Sequence, residues 1–507
     1  MAKVTSVIDI GSNSARMAIF RKTSRFGFHL IYEVKSKVRI SEGCYENNGI
    51  LQPAPMQRAL SALKEFLQIA KAHKSRKLFC VATSALRDAP NAKEFLARVK
   101  KECGLSIKVI DGKSEALYGG IACANLLYEK NGITIDIGGG STECALIRDG
   151  KIIDTISLNV GTIRIKELFF DKAESKGRKG AGKNNDKNES KGDILGATHY
   201  IKQELSKLGA QYKDSVIFGV GGSIRALSKL IMKQTNYPFN RIHGYEYEIA
   251  EHKDFFDKII HAPMHKLESF VPQDRLDTIR SGTLILSLFL EHLQGKRLIT
   301  SGAGVREGVF LADMLRNQNL HFPPNFNPSI ACLQDRFSLD EKQAKALKQS
   351  ALKIFDTLLP LHKCNEELRT LLGISAYLSQ IGVVLNFYQT NLHGAYILLN
   401  GLEYGFSHAQ RIIIELLIQY SDRKIPRQEA LLSEDLPSLE KLQYLSFIIA
   451  LAQSLHKGGN MPKLRYEFDY ARCELKIFTR DSLYLCAESL PKIQKPTSSL
   501  EITIIEE

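Results

Sequence analysis

The stretch Asp136-Ile137-Gly138-Gly139-Gly140-Ser141-Thr142-Glu143 constrains the fold more than any other. It follows the apolar run Ile133-Thr134-Ile135 and precedes Cys144-Ala145-Leu146-Ile147, so it reads as strand, glycine turn, strand. A turn with so little side-chain bulk lets backbone N–H groups approach an anion closely. Asp136 and Glu143 bracket the turn as hard oxygen ligands suited to Mg²⁺. The same pattern occurs near the N-terminus as Asp9-Ile10-Gly11-Ser12-Asn13-Ser14, after Val7-Ile8. Two copies predict two related lobes, each offering a phosphate-binding hairpin to a shared cleft.

A chain of 507 residues is too long for one core and calls for two to four domains. Its 44% apolar and 24% charged content is that of a soluble globular protein. The first residues run straight into a strand without a signal-peptide layout. The most apolar helix candidate, Tyr444 to Leu455, is too short to span a bilayer. Nine cysteines without a C-x-x-C pair point to reduced thiols in a cytoplasm, not to a disulfide frame or zinc site. The net charge of +14 attracts polyanions without choosing among nucleic acid, acidic lipid, nucleotides and inorganic phosphate chains.

In chain order, strands at Val4–Ile10, Ala15–Phe20 and His29–Arg39 precede alternating helices and strands up to Leu126. That is the pattern of an α/β lobe. Asn91 is expected to cap the helix that Gly104 stops. A second lobe begins at the Ile133 strand. Residues 171–193, rich in Lys, Gly, Asn, Ser and Glu, read as a disordered surface insertion. The linker from His321 to Pro328 marks the clearest boundary. Beyond it the periodicity is helical, and the chain is expected to end in strands at Leu464–Tyr470, Cys473–Phe478 and Leu483–Ala487.

Glycine-rich turns follow strands at Gly11, Gly138 and Gly221, and a fourth follows Ile299. Two of them feed helix N-termini, whose positive dipole ends suit phosphate. The series D-I-G-S-N-S-x-R, A-T-S-A-x-R-D-A, S-E-A, D-I-G-G-G-S-T-E, N-x-G-T-x-R, G-V-G-G-S and T-S-G-A-G-x-R-E-G resembles the exopolyphosphatase/guanosine pentaphosphate phosphohydrolase (Ppx/GppA) family, densely over residues 1 to about 316. The resemblance implies an α/β fold with two duplicated ribonuclease H-like, actin-like ATPase lobes. They would span residues 1–128, joined by the helix at 305–317, and residues 129–304. A mostly helical, HD-like domain with a small terminal β-sheet would follow at residues 325–507.

The resemblance also implies roles. Glu115, in Ser114-Glu115-Ala116, corresponds to the catalytic glutamate that activates water, and Arg87 to the arginine that holds phosphate. Asp136, Glu143 and, through water, Asp9 correspond to the Mg²⁺ site. Ser12, Asn13, Ser14, Arg16, Gly139, Gly140, Ser141, Thr162, Arg164, Gly221, Gly222 and Ser223 are expected to bind substrate. Arg306 and Glu307 are expected to tie the lobes together.

Ser379-Gln380 stand where a working HD site has His-Asp, so that module is expected to be catalytically dead and to serve as channel or homodimer contact. His393 reads as a hydrogen-bonded core histidine. The implied activity is Mg²⁺-dependent hydrolysis of terminal phosphoanhydrides of inorganic polyphosphate, of pppGpp, or of both, in the cytoplasm, with no nucleic-acid partner and no membrane span. A kinase or ATPase of the same superfamily and a non-enzymatic polyphosphate or alarmone sensor are the alternatives.

Overall fold

A computed structural model describes residues 3–171, 193–428, 436–459 and 461–507. The chain divides into two compact units, Met1–Pro328 and Ser329–Glu507. All but the end residues of the insertion expected at 171–193 lie outside the described residues.

The first unit contains two sheets. In the first, β1 (Val4–Ile10), β2 (Ala15–Lys22), β3 (Phe28–Ser36), β4 (Lys77–Ala82) and β5 (Lys108–Val109) run in the order β3-β2-β1-β4-β5. β1 to β3 form an antiparallel meander, and β4 and β5 continue parallel to β1. β1 buries nearly every residue because helices cover both its faces.

The second sheet has β6 (Gly132–Ile137), β7 (Thr142–Arg148), β8 (Lys151–Leu158), β9 (Val216–Val220), β10 (Tyr245–Glu248) and β11 (Arg297–Thr300) in the order β10-β11-β9-β6-β7-β8. Without its antiparallel edge strand β10, the second sheet reads β8-β7-β6-β9-β11. That is the first sheet's topology repeated, strand for strand. The repeat extends to atoms: the Gly11 N–H donates to the Ser14 carbonyl at 3.1 Å, and the Gly138 N–H donates to the Ser141 carbonyl at 2.9 Å. The fold is α/β, with two duplicated lobes of actin-like ATPase type.

Two helices exchange partners between the lobes. The helix Gly112–Leu126 follows β5, yet it packs on β7 and β8, and Cys123, Ala124 and Leu127 join Ile147, Phe218, Val220 and Ile299 in one apolar cluster. The helix Val305–Met314 follows β11, yet it packs on β1 and β2, and its Phe310 stacks on Phe20 of β2 at 4.4 Å. The two helices cross so tightly that a Cβ at Gly308 would overlap the Tyr118 carbonyl.

Some local expectations differ. Asn91 precedes the helix Ala92–Cys103 but does not cap it; its amide bonds the Leu51 N–H at 2.9 Å and the Leu51 carbonyl at 3.0 Å. Gly104 ends that helix in the left-handed region at φ +66°, as its position demanded.

The second unit is mainly helical and centres on fully buried Leu372, Ile414, Leu445 and Ile448. Its sheet is β12 (Leu464–Asp469), β13 (Glu474–Thr479) and β14 (Glu501–Glu506), with β14 parallel to β13. The expected strand at Leu483–Ala487 is instead the start of the helix Tyr484–Ser489, and the third strand comes from the last residues. Ser379 is fully buried and its hydroxyl donates to the Ala376 carbonyl at 2.9 Å. His393 is only half-buried, in the first turn of the helix Thr390–Gly401, so it is not a core histidine. Among the described residues no helix is long and apolar enough to cross a membrane, and all nine cysteines are free thiols.

Candidate active site

The β1–β2 and β6–β7 turns face each other across one cleft. Ser12, Asn13, Ser14 and Arg16 line it from the first lobe, and Gly139, Ser141 and Thr162 from the second. A third wall comes from Gly221, Gly222 and Ser223, where β9 hands over to the helix Gly222–Gln234. Gly221 has φ +93°, and a Cβ there would stand 2.7 Å from the Ile137 carbonyl and 3.0 Å from Asp136 Oδ1. Only glycine lets that chain pass so close to the acid.

Five carboxylates and four guanidiniums line the cleft. Asp9 and Asp136 end β1 and β6 at equivalent places, and Glu143 lies opposite Asp136 in the β6–β7 register. Burial pushes the Asp9 carboxyl up to about 6 against the pull of Arg306 and Arg16. Burial also raises Asp136, and it raises Glu143 to about 7 although Ser157 donates to its Oε1 at 2.7 Å.

Glu115, buried in the first turn of the helix Gly112–Leu126, is raised well above the usual carboxylate range. Burial is the main cause and the Glu143 charge adds to it. Arg87 works in the opposite direction, with Nη1 at 3.0 Å from Glu115 Oε2. All four carboxylates are therefore held in surroundings that favour the proton or a cation over bare charge.

The cation partners converge from distant segments. Arg225 is half-buried, donates to the Ser301 carbonyl at 2.9 Å, and is lowered by burial and by the neighbouring Arg306 charge. Arg16 is lowered to about 10 by burial and by Arg225. Arg275 packs over Gly222. Arg306 reaches β3, with Nη1 at 2.6 Å from Glu33 Oε1; burial works against its charge, and Glu307 and Glu33 more than offset that. Glu307 turns back on its own helix start, where its Oε2 accepts the Gly304 N–H at 2.8 Å. Both residues line the cleft as well.

Residues 18–317 match the Ppx/GppA phosphatase family, and residues 327–489 match the Ppx/GppA phosphatase domain III. The chain belongs to the Ppx/GppA phosphatase family. It is accordingly a hydrolase. A guanosine-5'-triphosphate,3'-diphosphate pyrophosphatase of Photobacterium profundum is 25% identical, with 96% of this chain and 94% of that protein covered. A protein of the same name from Pseudoalteromonas translucida is 28% identical over 81% of this chain and 79% of its own. The crystal structure of the Aquifex aeolicus member of the Ppx/GppA protein family is 29% identical with a TM-score of 0.51, covering 62% of this chain and 99% of that one.

Against the residues singled out from this Ppx/GppA sequence, three stand apart from the cleft wall. Arg87 touches Glu115 but lines a neighbouring cavity. Gly140 is wedged between lobes, where a Cβ would meet the Tyr45 hydroxyl and Ser84 Oγ. Arg164 is spent on protein groups: it donates to the Gly140 carbonyl at 2.8 Å, pairs with Asp88 at 3.1 Å and lies over the Tyr45 ring at 4.7 Å. Arg225 and Arg275 are the cleft arginines that the motifs left unnamed. Arg225 sits one turn into a helix that the G-V-G-G-S motif opens, a position the sequence did display. Arg275 has no such marker.

Proposed function

We propose that this cleft hydrolyses the terminal phosphoanhydride of a polyphosphorylated substrate with Glu115 as the base. The observation that carries the reading is the pairing of two glycine turns with the same backbone bond across one cleft, with a buried, elevated carboxylate at its wall. Backbone turns and arginines hold phosphate oxygens. Water attacks the terminal phosphorus, and its proton passes to the Glu115 carboxylate. As the new P–O bond forms, the bridging P–O bond breaks and its electron pair stays on the shortened substrate. Orthophosphate is the second product.

Mg²⁺ fits the residues present. Five carboxylates against four guanidiniums leave the cleft without the net positive charge a polyanion needs. The buried Oδ1 of Asp9 has no hydrogen-bond partner. Among the described residues no group of three His, Cys, Asp or Glu side chains could hold a metal by itself. That suits a cation that binds through one or two carboxylates and takes its other ligands from water and substrate phosphate. Asp136 and Glu143 would hold it, with Asp9 nearby, and it would neutralise charge on the phosphate oxygens.

The pyrophosphatase name of the full-length relatives supports pppGpp as substrate. The +14 net charge favours a longer polyanion, inorganic polyphosphate. Side-by-side assays on the purified protein without added nucleotide test both. Orthophosphate should appear from at least one substrate, and chelation of divalent cations should stop it. Tight binding of both without turnover would leave a sensor, and turnover only with ATP would leave a kinase or ATPase.

A further inference from the structure

A second cavity of about 550 Å³ opens to solvent behind the cleft, between the start of the helix Gly112–Leu126 and β8. Its wall includes Arg87, Lys113, Leu117, Thr155 and Ser157, with Asp111 on the rim. The partition between the two spaces is two side chains thick, in two places. Arg87 faces the rear cavity and holds Glu115 of the cleft at 3.0 Å. Ser157 faces the rear cavity and holds Glu143 of the cleft at 2.7 Å. Between these pairs the packing is tight, since a Cβ at Gly112 would overlap Ser157.

We propose that the rear cavity is an orthophosphate site and the product's way out, with the Arg87–Glu115 pair as its gate. This rests on the hydrolase reading above. The terminal phosphate is the part of the substrate that reaches Glu115, and the remainder of the substrate fills the cleft in front of it. A freed orthophosphate therefore has the substrate on one side and the partition on the other. Arg87 is half-buried, with its side chain 21% exposed, and it carries the only guanidinium among the cavity's lining residues. When Glu115 takes up the proton of the attacking water, the Arg87–Glu115 attraction weakens, and the guanidinium, which also faces Asp88 at 3.5 Å and the Ile110 carbonyl at 3.3 Å, turns to pair with the dianion. Lys113 adds a second positive charge further out. Asp111 keeps its negative charge, since its Oδ1 accepts the Ser114 N–H at 2.7 Å, and it opposes the two cations from the solvent side. Release to the rear lets a long chain advance by one unit without leaving the front cleft.

The test narrows the rear cavity from opposite walls with Thr155→Trp and Leu117→Trp, neither of which lines the cleft. Melting temperatures check that each variant is folded, and two independent sites guard against failure of one. Acid-quenched single turnovers on polyphosphate should keep the wild-type rate for the first cleavage. Steady-state release should slow at least several-fold, and the gel pattern should change from long chains plus orthophosphate to a ladder of intermediate lengths. Unchanged steady-state rate and unchanged pattern in folded variants of an active enzyme would overturn the exit route alone. So would a wild type that itself makes a ladder, or a first cleavage that slows as much as turnover. A wild type that releases no orthophosphate from any substrate would instead overturn the hydrolase reading beneath it.

Discussion

At the residue scale, the cleft is a place where carboxylates are kept short of solvation. Asp9 and Glu143 are held at about 6 and about 7, above their ordinary 3.8 and 4.5. The folded protein therefore binds their protons more tightly than the unfolded chain does. Stability contributed by this site is highest below about pH 4 and is lost as pH rises toward 7. Without divalent cations, wild type should lose several degrees of melting temperature relative to Glu143→Gln between pH 4.5 and 7.5, because the amide never takes the charge. Added Mg²⁺ should restore more of the wild-type melting temperature at pH 8 than at pH 5, where protons compete for the same oxygens. Parallel melting curves for the two proteins across pH, or equal Mg²⁺ effects at both pH values, would remove the cation from these acids.

The same scale shows what could be read from sequence. Ser12, Asn13, Gly139 and Ser141 were legible because a glycine turn after a strand announces its own backbone geometry. Asp9, Asp136 and Glu143 were legible because they flank such turns. Arg225 and Arg306 stand at glycine motifs that mark their positions but not the cleft they share, and Arg275 joins them from a segment with no marker. Arg87 and Arg164 sit in conspicuous motifs, yet their side chains are first engaged by Glu115 and by Asp88.

At the scale of elements, the crossing of Gly112–Leu126 with Val305–Met314 sets the geometry of the site. One helix delivers Glu115 and the other delivers Arg306 and Glu307. Their close approach depends on Gly308 against the Tyr118 carbonyl. Gly308→Ala must drive the helices apart, and overpacking of this kind costs about 1–3 kcal/mol. The variant should melt earlier and lose activity together; a variant with wild-type stability and rate would show that the crossing is looser than described.

Chain order hid the exchange of partners. Periodicity identifies each helix as amphipathic or buried but not the sheet it covers. The short run Leu483–Ala487 fits a strand or a helix equally on periodicity, and it folds as helix. The alternating Ile-Thr-Ile-Ile of β14 was the better strand signal.

At the scale of the whole molecule, the turns, carboxylates and arginines of the cleft all lie before Pro328. The Aquifex aeolicus relative spans 62% of this chain while 99% of its own is covered, a length close to that first unit. A protein ending at Pro328 should therefore fold and release orthophosphate from a short substrate, with circular dichroism and phosphate release as the two readouts. Folding without turnover would require a residue of the second unit in the chemistry.

That there are two related lobes was legible from two copies of Asp-Ile-Gly; their shared strand order, β3-β2-β1-β4-β5 and β8-β7-β6-β9-β11, was not. The extra edge strand β10 was not, because Tyr245–Glu248 is too short to show a period.

The account stands on Glu115 as the group that receives the proton of the attacking water. Glu115→Gln keeps the side chain's shape and a carbonyl oxygen for the Arg87 guanidinium, and it removes the base. In acid-quenched single turnovers with Mg²⁺, on whichever of polyphosphate and pppGpp the wild type cleaves, the variant should fall by about 10²–10⁴-fold while substrate affinity and melting temperature stay near wild type. A folded variant that cleaves at the wild-type rate would contradict the central claim.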